Sequence, residues 1–225
     1  MSIHHHRLAS IVVPTVFSLI MLGSLAGPAA ASGKFKLDLY FASGYERQVD
    51  GRTCTAASTA MMLNFSARRD LHLNQMSILR FEQPVDALND RVQRGSDPLG
   101  WSIAATEFSA REDIPAAYAW KAYKSESAAL RTAALAIARY HKPVGLAIRH
   151  GGHAVVMTGF EATRNPALGG SWTLTAVYIR DPYGAHHARY APALRSPLDA
   201  YLKLDATTKY DKAWYRKYVI IQPLR

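Results

Sequence analysis

The sequence predicts an α+β fold. Helix-forming stretches dominate from Thr55 to His141, and β-branched or alternating stretches dominate from Val144 to Ile221. No repeat, low-complexity tract or Pro/Ser-rich linker divides the chain, so one domain is expected after the N-terminal segment. Helices first and strands later imply an antiparallel sheet packed against a helical part.

Arg7 precedes an apolar run from Leu8 to Ala26, followed by Gly27-Pro28 and the small residues Ala29-Ala30-Ala31. That pattern predicts a secretory signal peptide, residues 1–31, with an A-x-A cleavage site and a mature start at Ser32. An uncleaved anchor is the alternative, because the run is nearly long enough to span a bilayer. Pro14 within the run and the small residues after it favour cleavage. No cysteine lies near the break to carry a lipid. His4 to His6 receive no function.

Residues 32–225 are then the folded domain, with 26 basic and 17 acidic residues and a charge of +9. This length suffices for one core. A basic exported protein favours anionic partners such as cell-wall polymers. The basic residues are scattered rather than arranged in a stripe, which speaks against nucleic acid. The expected location is secreted or periplasmic, with no stable membrane insertion once the signal is removed.

Lys34 to Asp50 reads as an extended lead-in, with Phe35, Leu37, Leu39 and Phe41 alternating with other residues. From Thr55 to Phe65 the chain lacks Gly and Pro, and Ala57, Ala60, Met61 and Asn64 share one face at helical spacing. Further helices are expected over Asn74 to Phe81, Val85 to Gln93, Ser102 to Arg111 and Ser125 to His141. In the last of these, Leu130, Ala133, Ala134, Ile137 and Ala138 form an apolar stripe that ends before Pro143. Strands are expected over Val144 to Arg149, His153 to Phe160, Trp172 to Arg180 and Tyr218 to Ile221. Residues 164–170 contain Asn165-Pro166 and Gly169-Gly170 and read as a hairpin loop.

The cysteine count narrows the chemistry. Exported proteins use cysteines mainly as disulfides, but Cys54 is alone, so no intramolecular bridge can form. It stands at the start of the first helix, where unpaired backbone N–H groups favour an anion. Gln48 lies six residues before it, across the turn-like Asp50-Gly51, and a side-chain amide beside a nucleophile's own N–H can form an oxyanion hole. Gly151-Gly152-His153 opens an apolar strand, with His150 as a competing histidine. Asp181-Pro182 ends the strand that begins at Trp172. If these two strands pair through the 164–170 hairpin, His153 and Asp181 meet at one end of the sheet, and the carboxylate can orient the imidazole. His186-His187 lacks the accompanying ligands of a metal site. No metal or cofactor is expected.

Gln48 together with Cys54-Thr-Ala-Ala-Ser-Thr-Ala-Met-Met-Leu-Asn resembles the Gln…Cys-Gly-Pro-Ala-Ser-x-x-Met-x-Leu pattern of papain-like cysteine peptidases related to the bacteriocin-leader peptidases. Pro143-Val-Gly-Leu-Ala-Ile, Gly152-His-Ala-Val-Val-Met-Thr-Gly-Phe and Val177-Tyr-Ile-Arg-Asp-Pro-Tyr-Gly resemble that family's strand, histidine and aspartate blocks, in the same order. The resemblance covers roughly residues 45–190. It implies a papain-like fold with the nucleophile's helix against the sheet. It implies Cys54 as nucleophile, His153 as general base and then acid, Asp181 as its orienter and Gln48 as oxyanion donor. The implied activity is hydrolysis of a peptide or protein substrate through an acyl-thioester. A catalytically silent binder of peptides or cell-wall fragments, and an acyltransferase with the same triad, remain open. Two features depart from the pattern: Thr55-Ala56 stands in place of Gly-Pro, and the 28 residues from His153 to Asp181 make a long interval.

Overall fold

The computed structural model describes residues 34–87, 95–184, 187–190 and 213–224. These all belong to one compact unit, Ser32–Arg225. The predicted signal peptide, residues 1–31, lies outside the described residues. Four α-helices are described: α1 Cys54–Ala67, α2 Gln75–Glu82, α3 Pro98–Arg111 and α4 Glu126–Tyr140. The strands are β1 Phe35–Asp38, β2 Tyr118–Tyr123, β3 Val144–Ile148, β4 His153–Ala162, β5 Leu174–Arg180, β6 His187–Tyr190 and β7 Tyr218–Pro223. They form one sheet in the order β2-β7-β3-β4-β5-β6, and every pairing is antiparallel. The chain is thus α+β, with its N-terminal helices packed on the sheet.

Strand β4 organises the sheet. Its first half, His153 to Met157, pairs with β3, while its second half, Gly159 to Ala162, pairs with β1. The register against β5 shifts between Met157 and Gly159. Thr158 at this irregularity is fully buried and donates its hydroxyl to Asp38 Oδ1 at 2.7 Å. Gly159 is required here, because a Cβ would collide with the Leu37 carbonyl of β1.

Helix boundaries follow capping chemistry. Asn74 accepts from the Ser77 N–H and starts α2. Ser125 accepts from the Ala128 N–H and starts α4, which ends at His141 in the left-handed conformation, two residues before Pro143. Helix α3 begins four residues before the expected Ser102. Asp97 caps it through Leu99 N and Gly100 N, and Pro98 occupies the first turn, where its missing N–H costs nothing. The helix expected from Val85 to Gln93 is absent where it is described. Gln83–Val85 form a 3-10 turn, and 88–94 lie outside the described residues. Strands β2 and β6 have no counterpart in the sequence reading. The 164–170 hairpin contains a short 3-10 turn, Pro166–Leu168, capped by Asn165.

Helix α1 differs from the one-faced helix its spacing suggests. Every residue from Thr55 to Phe65 is buried. It packs on β4 on one side and on α2 and α3 on the others, so it forms the centre of the core. Among its polar members, Asn64 donates to Gly44 O and Glu46 Oε1 and accepts from Leu71 N, whereas the buried Ser58 hydroxyl has no hydrogen-bond partner among the described residues. Helix α3 approaches the sheet through Trp101, whose indole lies against Gly145 of β3, where a Cβ would overlap the ring. Substituting Gly145→Val should therefore destabilise the fold by about 1–3 kcal/mol through overpacking. Denaturant unfolding of the purified variant checks this.

Candidate active site

The start of α1, the start of β4 and the end of β5 meet at one edge of the sheet. Cys54 is the first residue of α1 and is half-buried. Thr53 holds the N-cap position but does not cap. Its hydroxyl instead donates to Asp50 O and accepts from Asp50 N, both at 3.2 Å. Asp50 closes the same turn through its own side chain, accepting from Arg52 N at 2.8 Å. The first bond into the helix runs from Ala57 N to Thr53 O. The N–H groups of Cys54, Thr55 and Ala56 therefore have no acceptor among the described residues, and the positive end of the helix is left open at the thiol.

His153 is the first residue of β4, and its partner across the ladder is Ile148. The connection is tight. Arg149, His150 and Gly151 all have positive φ, at 52°, 57° and 85°. Gly151 N and Gly152 N donate back to Ile148 O and Arg149 O. Two successive non-glycine residues in the left-handed region store strain, and this turn places His153 at the strand's first position. His153 is 7 % exposed, whereas His150 points outward and is exposed. The latter is not part of the cleft lining. Of the other histidine pair, His186 lies outside the described residues.

Asp181 follows the last residue of β5. His153 Nε2 and Asp181 Oδ1 are 2.7 Å apart. The same oxygen accepts from Tyr183 N at 2.8 Å, and the Asp181 carbonyl accepts from the Tyr45 hydroxyl at 3.0 Å. Behind it, buried Arg180 stacks on the Tyr40 ring with its guanidinium carbon 3.4 Å from the centroid. The carboxylate is thus held at Oδ1 by His153 and Tyr183 N, and the Asp181 backbone by Tyr45. The Tyr183 ring stands edge-on to the imidazole at 6.5 Å.

Cys54 lines the same cleft and lies close enough to the imidazole to raise its pKa. Burial alone would lower the His153 pKa, but the hydrogen bond to Asp181 and the contact with Cys54 outweigh it, and the value rises to about 9. For Asp181 burial pulls upward, yet the bonds from His153 and Tyr183 N hold its carboxyl below the usual range. An imidazolium beside the Asp181 carboxylate is the state at neutral pH that this geometry favours.

Cys54 and His153 line one cleft. Its walls are Thr55, Ser96, Asp97 and Trp101 on the helical side, and Ala147, Gly151, Gly152 and Ala154 on the sheet side. Ala147 and Ala154 face each other in the ladder. Gln48 is placed less directly. Its backbone N–H donates to Pro182 O at 2.9 Å, which fastens the lead-in segment beside Asp181. Its Nε2 donates to Asp50 O at 2.7 Å, and it does not line the cleft. One amide hydrogen of Gln48 is thereby committed, and its Oε1 is buried with no hydrogen-bond partner among the described residues.

Trp101, Tyr183 and Tyr45 escaped the sequence reading. Asp97-Pro98 carries a readable N-cap signal that locates the start of the α3 wall. Nothing local marks the two tyrosines. Among the described residues no group of three or more His, Cys, Asp or Glu side chains could hold a metal ion.

Because His153 gains its proton affinity on folding, its contribution to stability is complete below about pH 6.5 and is lost as pH rises through about 9. NMR titration should show the imidazole protonated at neutral pH. Cys54→Ala and Asp181→Asn should each lower its midpoint, since each removes a partner that raises it. A midpoint unmoved by either substitution would contradict the contacts described.

Comparison with protein-family models and with curated proteins returns no match, so the reading of this site rests on its geometry and on the sequence motifs.

Proposed function

We propose that this chain is an exported papain-like cysteine peptidase in which Cys54, His153 and Asp181 form the catalytic triad. The observation that carries the reading is the His153–Asp181 bond at 2.7 Å, on an imidazole that shares a cleft with a cysteine at an uncapped helix N-terminus. A helix bearing the cysteine, packed on an antiparallel sheet bearing the histidine and aspartate, matches the papain-like arrangement that the motifs suggest. Export follows from the signal-like residues 1–31. No helix among the described residues is long and apolar enough to cross a membrane.

In this mechanism the Cys54 thiolate attacks the scissile carbonyl carbon. The developing oxyanion takes hydrogen bonds from the Cys54 N–H and from the second amide hydrogen of Gln48. His153 transfers its proton to the leaving amine, and the C–N bond breaks to leave an acyl-thioester. Neutral His153 then takes a proton from water, whose hydroxyl attacks the thioester and releases the acid and the thiolate. Asp181 stays ionised and holds the ring in register throughout.

Mass spectrometry after treatment with an epoxide inhibitor of papain-like enzymes should find the adduct on Cys54. Cys54→Ala and His153→Ala should abolish peptide hydrolysis. Asp181→Ala should weaken it less, because orientation contributes less than the nucleophile itself. Gln48→Ala should lower turnover by roughly 10²-fold, the scale of one oxyanion donor, with substrate binding little changed. No turnover of any peptide, with the cysteine alkylated no faster than in His153→Ala, would favour a silent binding protein. Products extended by an added amine would instead show acyl transfer.

A further inference from the structure

Directly behind the proposed nucleophile lies a carboxyl group that the mechanism does not use. Glu82, the last residue of α2, is completely buried. Its Oε2 accepts from the Thr55 hydroxyl at 2.6 Å. Thr55 immediately follows Cys54, is itself buried and lines the cleft. Thr59, one turn further along α1, also faces the carboxyl. From the other side the first turn of α3 closes in: a Cβ on Gly100 would stand 2.7 Å from the Glu82 carbonyl oxygen and would overlap the Ser96 hydroxyl. Asp97, the cap of α3, contributes to the opposite wall of the same pocket of structure. Its Oδ1 accepts from Leu99 N and Gly100 N, and its Oδ2 from Ala87 N. Glu82 therefore sits where the first turn of α1, the end of α2 and the first turn of α3 converge.

A fully buried glutamate is rare without a cation beside it. Among the described residues, the charged groups facing this one are Asp97 and Asp86, both acidic, and α1 presents hydroxyls to it. Burial is the main cause that pushes its carboxyl up, to about 8, and the two aspartates add to it against the threonine bonds. At neutral and mildly acid pH Glu82 is thus an uncharged acid, and glutamine is its close mimic in both shape and charge.

We propose that Glu82 is a positioning residue for Cys54. By fixing the Thr55 hydroxyl it sets the first turn of α1, and so the thiol, against the His153 ring. An apolar side chain would pack in this space as well or better, so what the polar pair adds is direction. The uncapped start of α1 has no side-chain bond of its own to hold it, and the Thr55–Glu82 bond supplies that anchor one residue further in. This inference rests on the triad reading above.

The test uses the rate of Cys54 alkylation by iodoacetamide at pH 6, which needs no substrate and reports the thiol held against the imidazolium. The full-length protein is compared with Glu82→Gln, Glu82→Leu, Thr55→Val and the Glu82→Leu/Thr55→Val double variant. Glu82→Gln should retain the wild-type rate, because its amide oxygen accepts from Thr55 as the carboxyl does. Glu82→Leu and Thr55→Val should each slow alkylation roughly five- to tenfold, the range of one hydrogen bond. The double variant should be no slower than either single one, as expected for two ends of one interaction. If Glu82→Leu does not fold, Thr55→Val, which keeps the glutamate and the packing volume, decides alone. Wild-type rates in both Thr55→Val and Glu82→Leu would overturn the inference while leaving the triad standing. A wild-type rate no faster than that of His153→Ala would remove the triad, and the positioning role with it.

Discussion

The antiparallel ladder between β4 and β5 is the constraint from which the site geometry follows. Val156 lies opposite Arg180 and Phe160 opposite Val177, so the first residues of β4 and the last of β5 are brought to the same edge of the sheet. Neighbouring strands are roughly 4.8 Å apart, and side chains projecting from such adjacent ends can reach one another. His153 and Asp181 need only project into the same space, and they meet at 2.7 Å. The long interval of 28 residues between them does not loosen this pair, because the extra residues are taken up at the far end of the hairpin, around the turn Pro166–Leu168.

The second requirement is a helix that begins at that same edge. Helix α1 is buried on all sides, so its axis is fixed by β4, α2 and α3 together rather than by one amphipathic face. A helix held this firmly can leave its first N–H groups unpaired, and the open end then lies where a thiolate would form. The Asp50–Thr53 turn keeps Thr53 from capping it. The same burial makes every polar side chain of the helix demanding, since an unsatisfied buried group costs roughly 1–3 kcal/mol. Asn64 meets this demand at one end of the helix and Thr55 at the other.

Charge at the site is arranged as a chain of alternating preference. Asp181 is held ionised by His153 and Tyr183 N, His153 is held protonated by Asp181 and Cys54, and the helix end lies beyond. Glu82, two residues of contact away through Thr55, is neutral at the same pH.

Much of this was legible without coordinates. Helix formers from Thr55 onward, alternation in β5 and the Val-rich run of β4 are local signals, and they located the elements that carry Cys54, His153 and Asp181. The prediction that His153 and Asp181 meet needed only the assumption that consecutive strands pair. Other features are not written locally. Strand β2, Tyr118–Tyr123, pairs with β7 almost a hundred residues later in the chain, and Ala119, Lys121 and Ala122 dilute the strand preference of its aromatic residues. Glu82 reads in the sequence as an ordinary charged helix end; only α1 and α3 closing over it make it a buried neutral acid. Gln48 was placed by its spacing to Cys54, yet its amide is turned to Asp50 O by the fold of the intervening turn. Sequence by itself located the elements that carry the site, α1, β4 and β5, because capping, periodicity and chain breaks act within a few residues. Tertiary structure alone decided which side chains lose water and which polar atoms face one another, because desolvation depends on everything that packs around a group, from however far along the chain it comes.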